Sequence, residues 1–229
     1  MRTYYTAVGN FRRRQDNEGR SYPVIIVNRE EYMVDMQEMA LWTCLNWRIM
    51  DAQQVKTHYE KLEQSLYPHI PRMFEDCLKR LEVRGLVASG IGKTDFEALY
   101  DLVSSLYVVP VSESIPLRIV AFLKMVILDD VPVSRAKQLF QHDHPNQQEA
   151  QVIALSKQAL LSTAELIKCA EVGASDLSTD QKVMEALYND DSTTCDNIGW
   201  EMRNTASQKD VTLAVANLYL RKQIIFERL

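Results

Sequence analysis

Leu81-Glu82-Val83-Arg84-Gly85-Leu86-Val87, continued by Ala88-Ser89-Gly90-Ile91-Gly92, is the stretch on which the fold of this chain turns. Upstream of it, Ile70, Met73, Phe74, Cys77, Leu78 and Leu81 recur at helical spacing. Gly85 supplies the left-handed position that stops a helix. Leu86-Val87 then opens a strand, and Gly90-Ile91-Gly92 has the composition of a hairpin turn.

Working back from that point, two more helices precede the first. Asp35 with Glu38 forms a capping-box pattern ahead of Met39, Leu41, Trp42, Leu45 and Trp47. Asp51 with Gln54 repeats it ahead of Val55 and Tyr59. Pro68 and Pro71 frame the start of the third helix. Before all of these, Thr3 to Val8, Tyr22 to Val27 and Tyr32 to Val34 read as strands. The polar Arg12-to-Arg20 segment between the first two reads as a hairpin or loop.

Working forward, the chain reads as helical from Thr94. Helices are expected over Phe96 to Leu106, Ile115 to Leu128, Ser134 to Phe140 and Gln147 to Glu171. The apolar content of the last suggests a central helix or a subunit interface. Ser178 with Gln181, Thr193 with Asp196, and Ser207 then open three more helices. The third closes on Leu218-Tyr219-Leu220-Arg221, which echoes Leu81-Glu82-Val83-Arg84. The expected fold class is therefore mainly α with a small β component. A domain over residues 1–93 precedes an all-helical domain over 94–229, in which 178–229 forms a second helix-turn-helix unit.

Residues Tyr22 to Val87 resemble the PqqD-like group of winged helix-turn-helix domains. The resemblance rests on the strand pair, the Asp35-opened helix with Ala40-Leu41-Trp42, and the ending at Arg84-Gly85-Leu86-Val87. It implies a fold whose members bind DNA or hold a peptide along their strands.

Composition bounds the chemistry. The 229 residues, 46% hydrophobic, can build one or two cores. The net charge of -5 argues against a protein that coats nucleic acid. Residues 1–93 carry 14 Lys and Arg against 12 Asp and Glu, while residues 94–229 carry 12 against 19. Only the first part suits phosphate contact. No run of apolar residues is long enough for a membrane helix, and Met1 to Tyr5 lacks a signal-peptide core. The scattered Cys44, Cys77, Cys169 and Cys195 suggest free thiols in a cytoplasmic protein.

The expected function is a bacterial, homodimeric transcription regulator that binds double-stranded DNA. Its candidate contacts are His69, Arg72, Lys79, Arg80 and Lys93, with Gln208, Lys209 and Thr212 on the last helix. Glu75 and Asp76 oppose that reading by sign. The alternative is a module that holds a peptide or protein on its N-terminal strands, at Val24 to Val27 or the nearby edge. Arg12-Arg13-Arg14 reads as solvated loop charge or as a basic arm for a groove or an acidic partner. No enzyme signature, cofactor loop or metal set is present. His142-Asp143-His144 lacks a nearby third ligand and reads as a loop. Trp42, Trp47 and Trp200 stand at core spacing.

Overall fold

The computed structural model describes residues 1–66, 72–111, 145–190 and 192–229, with 62–66 described by backbone alone. The N-terminal part contains β1 (Arg2–Ala7), β2 (Asn10–Gln15), β3 (Ser21–Val27), β4 (Glu30–Met33), α1 (Met36–Leu45), β5 (Met50–Asp51), α2 (Ala52–Leu66), α3 (Phe74–Val83) and β6 (Val87–Gly92). Helix α4 (Asp95–Val103) leads to β7 (Tyr107–Pro110). There follow α5 (Gln147–Ser156), β8 (Leu161–Ser162), α6 (Thr163–Val172), α7 (Asp180–Leu187), α8 (Ile198–Glu201), α9 (Gln208–Leu220) and β9 (Ile224–Glu227). The described strands form three antiparallel three-stranded sheets, ordered β5-β1-β6, β2-β3-β4 and β8-β7-β9.

This corrects the mainly-α fold class. Residues 94–229 are not all-helical, because β7, β8 and β9 form a sheet there. Strand β7 escapes a sequence reading because its main partner, β9, lies at the far end of the chain. Only the folded chain brings the two together.

Three local readings are corrected with it. The helix expected over Gln147 to Glu171 is two helices. Ser162 accepts from the Glu165 amide and Glu165 reaches back to the Ser162 amide, so a new helix starts there. Its apolar residues Val152, Leu155, Leu166 and Ile167 lie in the core, which removes them as a subunit interface. The helix expected over Phe96 to Leu106 ends at Val103.

The Gly90-Gly92 turn is not a turn at all. Strand β6 runs straight through it and pairs with β1 from Arg2↔Gly92 to Ala7↔Val87. These glycines exist for packing. A Cβ on Gly90 would lie 2.1 Å from the backbone nitrogen of Leu102, and one on Gly92 2.3 Å from that of Ala98. Helix α4 thus rests directly on the strand.

Two further helices start a residue away from their expected caps. Thr179, not Ser178, caps α7. Thr194 and Asn197, not Thr193 and Asp196, make the reciprocal bonds before α8. The expected helices at Ile115 to Leu128 and Ser134 to Phe140, and His142-Asp143-His144, lie outside the described residues.

The chain is built on a repeat. Asp35, Glu38, Asp51 and Gln54 correspond to Asn146, Glu149, Ser162 and Glu165 with no insertion between them. All four pairs form capping boxes: Asp35–Glu38, Asp51–Gln54, Asn146–Glu149 and Ser162–Glu165. Phe74, Cys77, Leu78 and Leu81 correspond to Val211, Ala214, Val215 and Leu218, and all eight are buried. Both final helices end alike. The Leu86 amide donates to the Leu81 carbonyl at 2.9 Å and the Gln223 amide to the Leu218 carbonyl at 2.9 Å. The left-handed positions are Gly85 (φ +71) and Lys222 (φ 62).

The repeats share one core. Tyr219 of α9 is fully buried against β1 and the end of α1. Its hydroxyl receives bonds from the Thr6 hydroxyl and the Trp47 amide, both 2.9 Å away. The Trp47 indole donates to the Ile224 carbonyl, and the Gly9 amide to the Phe226 carbonyl at 2.7 Å. Strand β9 therefore ends against the N-terminal repeat rather than in solvent.

Cys44, Cys77 and Cys169 are buried and Cys195 is exposed. Burial pushes the first three thiols up to about 11, about 12 and about 12. Their folded pKa lies above the unfolded value, so their contribution is complete below pH 9 and is lost as pH rises towards 11–12. The urea midpoint should fall across that window. At pH 8 a thiol reagent should titrate Cys195 alone in the folded protein and all four cysteines after denaturation.

Candidate docking surface

The surface is organised by Glu38. Its position in the α1 capping box buries the carboxylate, with Oε2 accepting from the Asp35 amide at 3.1 Å. An isolated carboxylate there would be costly, and α3 supplies its partners. Arg80 Nε donates to Oε1 at 2.9 Å and Arg84 Nη1 to Oε2 at 3.0 Å. Arg72 Nη1 stands 2.5 Å from Asp35 Oδ2 as an ion pair, and Gln37 Nε2 donates to the Arg72 carbonyl. Burial raises the Asp35 carboxyl, but the Glu38 amide and Arg72 outweigh it and hold it below its usual range. Three guanidinium groups thus meet two carboxylates, leaving the cluster cationic.

Apolar side chains flank this cluster. Arg84 Nη2 also donates to the Met33 carbonyl at 2.5 Å, and its guanidinium lies 5.9 Å from the Tyr32 ring. That ties the end of β4 to the end of α3. Met33 and Val83 adjoin this tie in the chain, and Met36 and Met73 adjoin the Asp35–Arg72 pair in the chain. All four are between 51% and 75% exposed. Methionines adapt to varied apolar partners, and exposed apolar groups beside cations suit an extended segment that is apolar and acidic.

Of the DNA candidates, Arg72 and Arg80 are brought together, on the Asp35 and Glu38 carboxylates. Lys79 and Lys93 are exposed. Lys93 lies beyond β6, where its amide bonds to the Glu97 carboxylate. The exposed face of α3 also carries Glu75, paired with Lys56, and Asp76. On α9, Lys209 is exposed, but Thr212 is fully buried and the Gln208 side chain caps the Asn204 amide. Both are withdrawn from any surface. His69 lies outside the described residues.

The other sequence candidates are placed as follows. Arg12, Arg13 and Arg14 lie in β2, not in a loop. Trp42 is buried, with its indole donating to the Val8 carbonyl. Trp200 is 71% exposed, with the Arg203 guanidinium 5.6 Å from its ring, so helical spacing misplaced it. Among the described residues, no group of three His, Cys, Asp or Glu could hold a metal ion, and no helix is long and apolar enough to cross a membrane.

Sequence reasoning missed Glu38 as the centre of this surface. The capping-box pattern marked its position. Its burial depends on arginines a full helix away, which no local pattern reveals. Compared with known proteins, the chain matches no family model, no curated protein and no solved structure.

Proposed function

We propose that this chain is a non-enzymatic docking protein that holds an extended, acidic and apolar peptide against the β4–α3 surface. The observation that carries the reading is the arginine cluster of Arg72, Arg80 and Arg84 on Asp35 and Glu38, whose neighbours in the chain, Met33, Met36, Met73 and Val83, are all exposed. We also take each repeat as a winged-helix-type unit. The strand orders β5-β1-β6 and β8-β7-β9 support this, with the central strand supplied from the N-terminal side of each unit.

A DNA-binding regulator is the competing reading, favoured by the exposed Lys79 and Lys93. The near-neutral face of α3 and the net charge of -5 weigh against it. The apolar residues of Gln147 to Glu171 that suggested a homodimer lie in the core, so the dimer enters as a measured quantity.

The test is fluorescence anisotropy with labelled peptides of alternating leucine and glutamate, alongside labelled duplex DNA. Peptide affinity should drop at least about tenfold in the Met33→Asp, Met73→Asp double variant, the loss expected when roughly 1.4 kcal/mol of contact is removed. Both residues are exposed, so the urea midpoint should not move. Binding of duplex with a steep salt dependence, and of no peptide, would replace this reading by the regulator. Light scattering on the same samples reads the oligomeric state.

A further inference from the structure

We infer that the free edge of β2 is a second docking site, and that it pairs with an acidic extended segment of a partner protein by strand addition. Its observations are separate from those behind the β4–α3 surface. All six residues of β2 are exposed, and the strand lies at the edge of the β2-β3-β4 sheet. Among the described residues, strand β3 pairs with one of its two edges and no strand pairs with the other.

The register fixes which groups face outward. The Asp16 amide donates to the Arg20 carbonyl at 3.0 Å where the β2–β3 hairpin closes. Bonded and non-bonded pairs alternate along an antiparallel ladder. Arg14–Tyr22, Arg12–Val24 and Asn10–Ile26 therefore bond across to β3. Phe11, Arg13 and Gln15 turn their amides and carbonyls outward. Pro23 fits this phase. It stands opposite Arg13, at a non-bonded position, so its missing N–H costs the β2–β3 ladder nothing. The turn is firm, because Asp16 accepts from the Glu18 and Arg20 amides and from the Arg20 guanidinium.

Charge selects the occupant. Arg14 is paired with Glu31, whereas Arg12 and Arg13 have no ion-pair partner among the described residues. A second copy pairing β2 with β2 would set two arginine runs side by side, which is unfavourable. The same run weighs against self-association of an open strand of this length. An extended segment with glutamate or aspartate on alternate residues satisfies both the outward amides and the arginines. The opposite strand edge is less open, because Arg84 already occupies the Met33 carbonyl of β4.

The experiment uses the full chain and two labelled peptides, one alternating glutamate and threonine, the other lysine and threonine, neither carrying the apolar side chains that the β4–α3 surface takes. The glutamate peptide should bind and the lysine peptide should not. Arg13→Pro removes an outward amide while leaving the bonded pairs with β3 intact, so the thermal midpoint should hold while glutamate-peptide affinity falls at least about tenfold. Should Arg13→Pro unfold the hairpin, Arg12→Glu with Arg13→Glu supplies the same readout and should reverse the peptide preference. Met33→Asp with Met73→Asp should leave this binding unchanged, which separates it from the β4–α3 surface. Equal binding of both peptides, binding of neither, or unchanged affinity in the Arg13 variants overturns the inference. So does a wild-type dimer that Arg13→Pro converts to monomer, because the occupant is then a second copy.

Discussion

Arg221→Met should destabilise the folded chain by about 3–5 kcal/mol, the cost of leaving a buried carboxylate without its partner. Glu149 is 1% exposed, and its Oε2 accepts from Arg221 Nη1 and from the Asn146 amide, both at 3.0 Å. Its Oε1 has no hydrogen-bond partner among the described residues. Removing Arg221 leaves one backbone amide to hold the charge. The equivalent carboxylate, Glu38, is held by both Arg80 and Arg84. Arg84→Met should therefore cost clearly less than Arg221→Met. Urea unfolding of the two variants side by side measures the difference, and equal losses would show that Arg80 does not compensate for Arg84 at Glu38.

Gly90→Ala should be more damaging still, at about 4 kcal/mol or above, because the added methyl meets backbone rather than a side chain that can turn away. The new Cβ would sit 2.1 Å from the Leu102 nitrogen, 2.4 Å from its Cα and 2.6 Å from the Ala98 carbonyl oxygen. Helix α4 must lift off β6 to make room, and Leu102 and Ala98 lie in that contact, both buried. Gly199→Ala is the control. Its nearest neighbours are Ser104 atoms at 3.9 and 4.0 Å, and it lies in α8, where alanine is the better helix former. Thermal unfolding of the pair should show a large drop for the first and none for the second.

Much of the local structure was legible because it is written in short-range chemistry. Asp35 with Glu38 and Asp51 with Gln54 mark helix starts, since a side chain reaches an amide three residues away. Gly85 marks a helix end because it relieves a left-handed backbone. The same Arg-and-turn ending at Arg221 made the second unit visible, although Lys222 replaces the glycine. Its extent was not visible, since β7 and β8 are short and pair with strands distant in the chain. Gly90 and Gly92 were misread for a related reason. A glycine demanded by a helix packed on a strand looks the same in sequence as one demanded by a turn.

The candidate surface was half legible. Arg72 and Arg80 stood out as cations on an amphipathic helix, and their sign suggested phosphate. That they face Asp35 and Glu38 instead follows from how α3 crosses the start of α1. The sequence by itself determined the helix starts marked by reciprocal capping pairs, at Asp35 and Asp51, and the helix end at Gly85, because those depend on contacts a few residues long. Only the tertiary structure decided the rest: which strands pair, that the two repeats share one core, which arginines are consumed by buried carboxylates, and that β2 keeps an open edge. Each of these depends on groups distant in the chain, whose proximity is set by the collective packing of the core and by no single local pattern.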